Sequence, residues 1–199
     1  MQDRDFIVKQ RTRVLYPREA RVLRAELSFR NQLIFDAMLY TGMRTVEFWR
    51  FIEHPDWYKP SRKAIDLPHG AMMKKKAKQA ERTVLLSNAG VQAIETLLSY
   101  MKKHPGEVRP ISRQNWLETL QRAALKAMEK GELSSIVGVV PKMTRKTWVS
   151  WLLATYPERE GSISLSMGHD LRTMLKHYAG LGWPGSARDE MRIYTSGWG

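Results

Sequence analysis

The chain has no cysteine. That absence removes disulfides, thiolate zinc sites and cysteine nucleophiles at once, and it suits a reducing compartment. Long apolar runs are missing too, since none approaches the roughly 18 residues that a membrane span requires. The N-terminal MQDRDFIVKQRTR is charged and lacks the apolar stretch of a secretory signal. No lipidation motif is present, and no amphipathic stretch gathers its cations on one face, so a membrane partner is not expected. Neither a repeat period nor a low-complexity segment is visible. The last scarcity is of negative charge. Among 199 residues, 20 acidic side chains face 33 Lys and Arg, a net charge of +13 and a pI of about 10.1.

What remains is ordinary for a globular protein, 43% hydrophobic and 27% charged, so the charge excess carries the information. A positive field of this size attracts polyanions, of which nucleic acid is the commonest large one in a cell. The alternative is a basic surface that serves solubility alone. The length suffices for one substantial domain with a real core.

Residues 1–15 read as basic and irregular. Pro17, followed by REARVLRAEL, starts a helix with Pro in the first turn. A second helical stretch covers 30–41, with Leu33, Ile34, Ala37 and Met38 turned inward, and Thr41-Gly42 ends it. Thr45 is placed to cap a third helix, TVEFWRFI, which stops before Pro55. Between 57 and 86, Pro60, Pro68 and Gly70 punctuate the chain and TVLLS has the β-branched character of a strand. A small antiparallel sheet is expected there, its hairpin tip running from Met73 to Gln79. Helical spacing returns at 88–103, at 112–129 behind Ser112, at 144–155 and at 170–179, with a short helix over 186–194. The expected fold is mainly α with a small antiparallel β-sheet.

Five features stand out against this background. Arg44 follows a glycine turn at a helix start, where a guanidinium beside unpaired backbone N–H groups makes an oxyanion site. Four lysines crowd the predicted hairpin at 74–78, either guarding a sheet edge or bringing an ammonium to a phosphodiester as a proton donor. Lys142 and Arg145, three residues apart, share one face of a helix start. Gly168-His169 forms a turn that presents an imidazole, and Tyr178 lies nine residues beyond it. Each alone has a bland structural explanation: a helix break, a charged edge, a solvated face, a buried imidazole, a tyrosine with a wet hydroxyl.

Their order along the chain is harder to dismiss. TGMRTVEF, KAKQAERTVLLS, PKMTRKTWVSWLL and GHDLRTMLKHY together resemble the tyrosine recombinase (integrase) family, whose pattern runs Arg, hairpin Lys, His-or-Lys-x-x-Arg, His-or-Trp, Tyr. The match extends from about residue 17 to 180. The resemblance implies the catalytic-domain fold of DNA breaking-rejoining enzymes and a basic arm over 1–16. It leaves 181–199 as a tail that either packs on its own domain or docks on a neighbouring subunit. Lys142 holds a slot usually occupied by His, a substitution reminiscent of integrases from archaeal viruses and plasmids. It keeps a cationic donor and gives up a proton acceptor. The DNA-clamping domain that usually precedes this one has no counterpart in the sequence, which fits an excised catalytic domain or an unusually small family member.

The resemblance also implies roles. Arg44 and Arg145 would clamp the non-bridging oxygens of a phosphodiester, with Lys142 and His169 adding hydrogen bonds. Tyr178 would attack phosphorus, and Lys76 would protonate the leaving 5′ oxygen, with Lys75 and Lys78 as rivals for that task. The product is a 3′-phosphotyrosyl enzyme that conserves the phosphodiester energy, so no cofactor, metal or ATP is expected. The expected partners are double-stranded DNA and, on two duplexes, a tetramer of the chain, in the cytoplasm of the host cell. Arg11, Arg13, Lys74, Lys75, Lys78, Arg113, Lys146 and Arg172 are expected to grip the DNA backbone. Trp148 and Trp151 are read as core, and Tyr194 is the next candidate nucleophile. The competing readings are a type IB topoisomerase that only relaxes supercoils, a catalytically dead DNA-binding module, and a basic helical protein with no enzymatic role.

Overall fold

The computed structural model describes residues 6–71, 81–178 and 180–199. Two helices at the centre of the core organise it. Helix α2 (Phe29–Thr41) buries Leu33, Ile34, Phe35, Ala37, Met38 and Leu39 on several faces, and such all-round apolarity belongs to a central helix. Helix α6 (Met143–Thr155) is buried continuously from Met143 to Leu152 and packs against α2. Trp148 and Trp151 lie fully buried within it, in the core where their spacing put them.

Around this pair sit α1 (Pro17–Ala25), α3 (Thr45–Glu53), α4 (Asn88–Lys103), α5 (Arg113–Glu129), α7 (Glu160–Met167), α8 (Leu171–Tyr178) and α9 (Gly185–Thr195). Local chemistry sets several of their ends. Pro17 occupies the first turn of α1. The Ser87 and Ser112 hydroxyls accept the backbone N–H groups of Gly90 and Asn115 at the starts of α4 and α5. The residue capping α3 is Arg44 rather than Thr45, which is already the first helical residue.

The expected sheet is present. Strands β3 (Tyr58–Lys59), β4 (Ala64–Leu67) and β5 (Arg82–Leu85) run antiparallel in the order β3-β4-β5, with Ile65 opposite Val84 and Leu67 opposite Arg82. The predicted hairpin tip, 73–79, lies outside the described residues.

Two expectations need correction. Residues 7–14 are not an irregular arm. They form a hairpin of β1 (Ile7–Lys9) and β2 (Thr12–Val14) that docks on α6. The Leu15 N–H donates to Thr147 Oγ1 at 2.9 Å and the Trp151 indole donates to the Leu15 carbonyl at 2.9 Å. Helix α7 was also not expected from the sequence. The tail folds back on its own chain: Trp183, Met191 and Trp198 are buried, and the Trp198 indole donates to the Leu85 carbonyl at 3.0 Å. Ile193 alone of its apolar residues stays largely exposed, at 71%. Among the described residues no helix is long and apolar enough to cross a membrane.

Candidate functional site

The C-terminal end of α2, the N-terminal end of α3, the start of α6 and the α7–α8 turn meet at one place. Gly42 makes the junction possible. It ends α2 in the left-handed conformation (φ 60°), and a Cβ there would lie 2.8 Å from Met167 Sδ and 2.9 Å from Trp148 Cδ1. Only glycine meets both demands. The chain then enters α3 with Arg44 at its cap.

A buried carboxylate holds the site together. Glu47, 1% exposed, accepts the Arg44 backbone N–H at 2.7 Å and the Arg44 guanidinium at 2.5 Å. It also accepts Arg82 at 2.6 Å, whose side chain is fully buried. The second Arg82 bond goes to the Ser166 carbonyl. Arg145, 7% exposed, donates to the Gly42 carbonyl at 2.7 Å, to the Met167 carbonyl, and to His169 Nε2 at 2.8 Å. Arg44 reaches the same turn, donating to the Gly168 carbonyl at 3.3 Å.

Charge is not balanced here. Three guanidiniums share one carboxylate, leaving two positive charges in excess. Burial pushes Glu47 upward, but Arg82, Arg145 and Arg44 outweigh it and hold the carboxyl below its ordinary value. Burial and then the fields of Arg82 and Arg44 lower Arg145 to about 9. Burial likewise lowers Arg82. Such a cluster favours an incoming anion.

His169 is fixed as tightly. Gly168 ends α7 in the left-handed conformation (φ 61°). The His169 N–H then donates to the Ser164 carbonyl at 3.0 Å, while Ser164 Oγ donates to the His169 carbonyl at 2.6 Å. Burial first, then Arg145 and Arg44, lower its pKa to about 3, so the ring is neutral near pH 7. A guanidinium can only donate, so Nε2 is the acceptor and the proton sits on Nδ1. That Nδ1 is buried without a hydrogen-bond partner among the described residues. The imidazole stacks on the Tyr178 ring with centroids 5.3 Å apart and planes at 21°.

The structure therefore brings Arg44, Arg145, His169 and Tyr178 together from three separate stretches of chain. Lys142 caps α6 three residues before Arg145 and is exposed. Lys76, with Lys74, Lys75 and Lys78, lies outside the described residues. Of the expected DNA-backbone contacts, Arg11, Arg113 and Arg172 are exposed. Arg13 is not. It is fully buried, paired with Glu19, bonded to the Ser135 carbonyl at 2.6 Å and stacked under the Phe6 ring at 4.4 Å, so it is part of the core. Lys146 is also buried, its ammonium donating to the Lys9 carbonyl, and it is not a surface grip in this arrangement. Tyr194 lies elsewhere, stacked on Tyr40 with its hydroxyl taking a bond from Arg21.

Glu47 and Arg82 received no role from the sequence. A carboxylate three residues after Arg44 at a helix start, within one turn of it, was the available clue for Glu47. For Arg82 the clue was strand alternation, which puts it on the same buried face as Val84. Among the described residues no group of three or more His, Asp or Glu side chains is arranged to hold a metal ion.

No family model and no curated protein matches the sequence. Solved structures do match. The Tn1549 transposon integrase in complex with a circular intermediate DNA superimposes with a TM-score of 0.67 at 16% identity, covering 96% of this chain and 68% of that one. The same integrase with transposon right end DNA gives 0.66 at 16%, with the same coverage. XerA recombinase gives 0.63 at 18%, covering 97% of this chain and 65% of that one. At such identities the likeness is one of fold.

Proposed function

We propose that this chain, which has the fold of a tyrosine recombinase catalytic domain, performs site-specific DNA recombination by cleaving and rejoining strands through Tyr178. The observation that carries the reading is the cluster itself. Two positive charges in excess sit beside a tyrosine whose ring stacks on His169, and a nucleic-acid phosphodiester is an anion that suits cations and a phenol nucleophile together.

The chemistry follows from the groups present. Arg44 and Arg145 offer charge-assisted donors to the non-bridging oxygens, where negative charge gathers as the nucleophile approaches. His169, neutral and accepting from Arg145 through Nε2, orients that guanidinium. The ring cannot serve as an imidazolium acid near pH 7. The Tyr178 oxygen forms a bond to phosphorus as the bond to the 5′ oxygen breaks, and the phenol proton is released in the same step. The leaving oxygen takes a proton from a general acid, the role given to Lys76. The resulting 3′-phosphotyrosyl ester conserves the phosphodiester, so attack by a 5′ hydroxyl of a second DNA reseals the strand. Lys142, exposed beside Arg145, adds a cation at the rim. Its presence in a slot usually held by His is the trait shared with integrases of archaeal viruses and plasmids. Assembly as a tetramer on two duplexes belongs to the same reading.

Incubation with nicked duplexes bearing random flanks, quenched in detergent, tests this reading. A protein band shifted by covalent DNA, lost in Tyr178→Phe and in Arg145→Ala, is the expected result. An adduct that survives Tyr178→Phe moves the nucleophile to another residue. Relaxation of supercoiled plasmid without strand exchange favours the topoisomerase reading.

A further inference from the structure

The β1–β2 hairpin turns through Gln10 and Arg11, both exposed, at φ 52° and 58°. A two-residue turn with both centres left-handed favours Asn-Gly, because a Cβ is disfavoured there. Among the described residues eight glycines take positive φ, and only Gln10, Arg11 and Lys63 do so without being glycine.

Surrounding structure holds the turn in place. The Arg13 N–H donates to the Gly138 carbonyl at 2.9 Å, where a Cβ on Gly138 would come within 2.5 Å of Arg13 N. From beneath, the buried Lys146 ammonium donates to the Lys9 carbonyl. Lys146 directly follows Arg145 on α6, so the turn is pinned to the helical turn that carries a phosphate-clamping arginine. Burial, then the charges of Lys142 and Lys9, lower Lys146 to about 8. Arg11, exposed in the turn, is two residues from the carbonyl that Lys146 holds, and Lys142, exposed, caps the helix that carries Lys146. Strain that the surroundings maintain, at an exposed tip beside a reactive cluster, is the pattern of a functional contact.

We infer that the β1–β2 turn is a DNA-reading tip, in which Arg11 and Gln10 contact base edges in the groove flanking the scissile phosphate. The chemistry suits the task. Arg pairs bidentately with guanine and Gln with adenine, and the major groove admits a two-stranded β-ribbon. The inference rests on the recombination reading above and goes beyond it by assigning sequence preference to two residues remote from the nucleophile in sequence.

Selection from a pool of random duplexes tests it, using Tyr178→Phe so that binding proceeds without cleavage. Three forms are compared: the native turn, Arg11→Lys, and the double substitution Gln10→Asn/Arg11→Gly. The native turn should enrich a motif with a fixed guanine. Arg11→Lys, which keeps the charge and loses the bidentate fork, should lose that position and bind the motif about tenfold more weakly. The double variant should also lose it while melting about 2–6 °C higher, through relief of the left-handed strain. An unchanged motif in both variants, or a lower melting point in the double variant, overturns the inference and makes the turn structural. Binding by the native turn with no preference overturns it as well, leaving the recombination reading intact. No DNA binding at all removes that reading and the inference together.

Discussion

At the scale of single residues, the site is organised by Glu47 rather than by the arginines. Glu47→Gln keeps the shape and removes the charge that Arg44 and Arg82 share. Three guanidiniums would then face one another with no counter-ion, and breaking a buried pair in this way costs about 3–5 kcal/mol. Urea unfolding should show that loss together with loss of DNA cleavage. A variant of native stability would mean that solvent screens the cluster. Gly42→Ala tests the junction next to it. Left-handed strain of about 1–2 kcal/mol adds to overpacking against Met167 and Trp148 of about 1–3 kcal/mol, so a destabilisation near 3 kcal/mol is expected by the same measurement. His169 adds a pH effect whose sign follows from its lowered pKa. Folded, it titrates at about 3, and unfolded near 6.5. Between those values the unfolded chain holds a proton that the folded chain does not, so stability falls as pH drops from about 6.5 toward 3. Melting curves of the native chain and His169→Asn across that window should converge as the pH falls, because the variant lacks this acid sensitivity. Parallel curves would show that the imidazole is not held neutral by its surroundings.

At the scale of elements, the β1–β2 hairpin is tied to α6 through few but buried bonds. Thr147→Val preserves volume and removes the acceptor of the Leu15 N–H, stranding a buried donor at a cost of about 1–3 kcal/mol. Hydrogen exchange at the Leu15 amide should accelerate well beyond that of α2. Equal protection before and after the change would mean that another group accepts this N–H. The hairpin is also where reading from sequence failed, for a physical reason. Its turn carries Gln10-Arg11 instead of Asn-Gly, and its strands are three residues each, too short to show an alternating pattern. Helix α7 was missed because EGSISLSM alternates apolar and small residues in a strand-like way, and its anchors are tertiary: Ser166 Oγ accepts the Leu85 N–H at 2.9 Å. Helices that begin at Pro17, Ser87 and Ser112 were legible because their start signals are local. Arg44, Arg145, His169 and Tyr178 were legible as ordered motifs, and the structure adds that they converge. Arg82 was not, because its partner Glu47 is 35 residues away and nothing local marks a strand arginine as buried. Arg13 misled in the opposite sense, since a basic residue in a basic segment gives no local sign that Glu19 will bury it.

At the scale of the whole molecule, the net charge of +13 divides into cations that the fold consumes and cations that it displays. Arg13, Arg82, Arg145 and Lys146 are buried. Arg11, Lys142, Arg113 and Arg172 are exposed, and on the recombination reading they face the duplex. The two classes predict different responses to salt. Each phosphate that a surface cation neutralises contributes about −0.9 to the slope of log affinity against log salt, so phosphate contacts from Lys142, Arg113 and Arg172 give a slope of about −2.7 by the same rule. Alanine at Arg113 or Arg172 should flatten the slope by about one unit each, with unfolding free energies within about 0.5 kcal/mol of native. Arg13→Met should do the reverse, lowering stability by about 3–5 kcal/mol through the stranded Glu19 while leaving the slope of the folded fraction unchanged. Anisotropy titrations over a range of salt concentrations, paired with urea unfolding, separate the two classes. A slope that Arg113→Ala and Arg172→Ala leave untouched would put the duplex on another face of the molecule and leave those arginines to solvent.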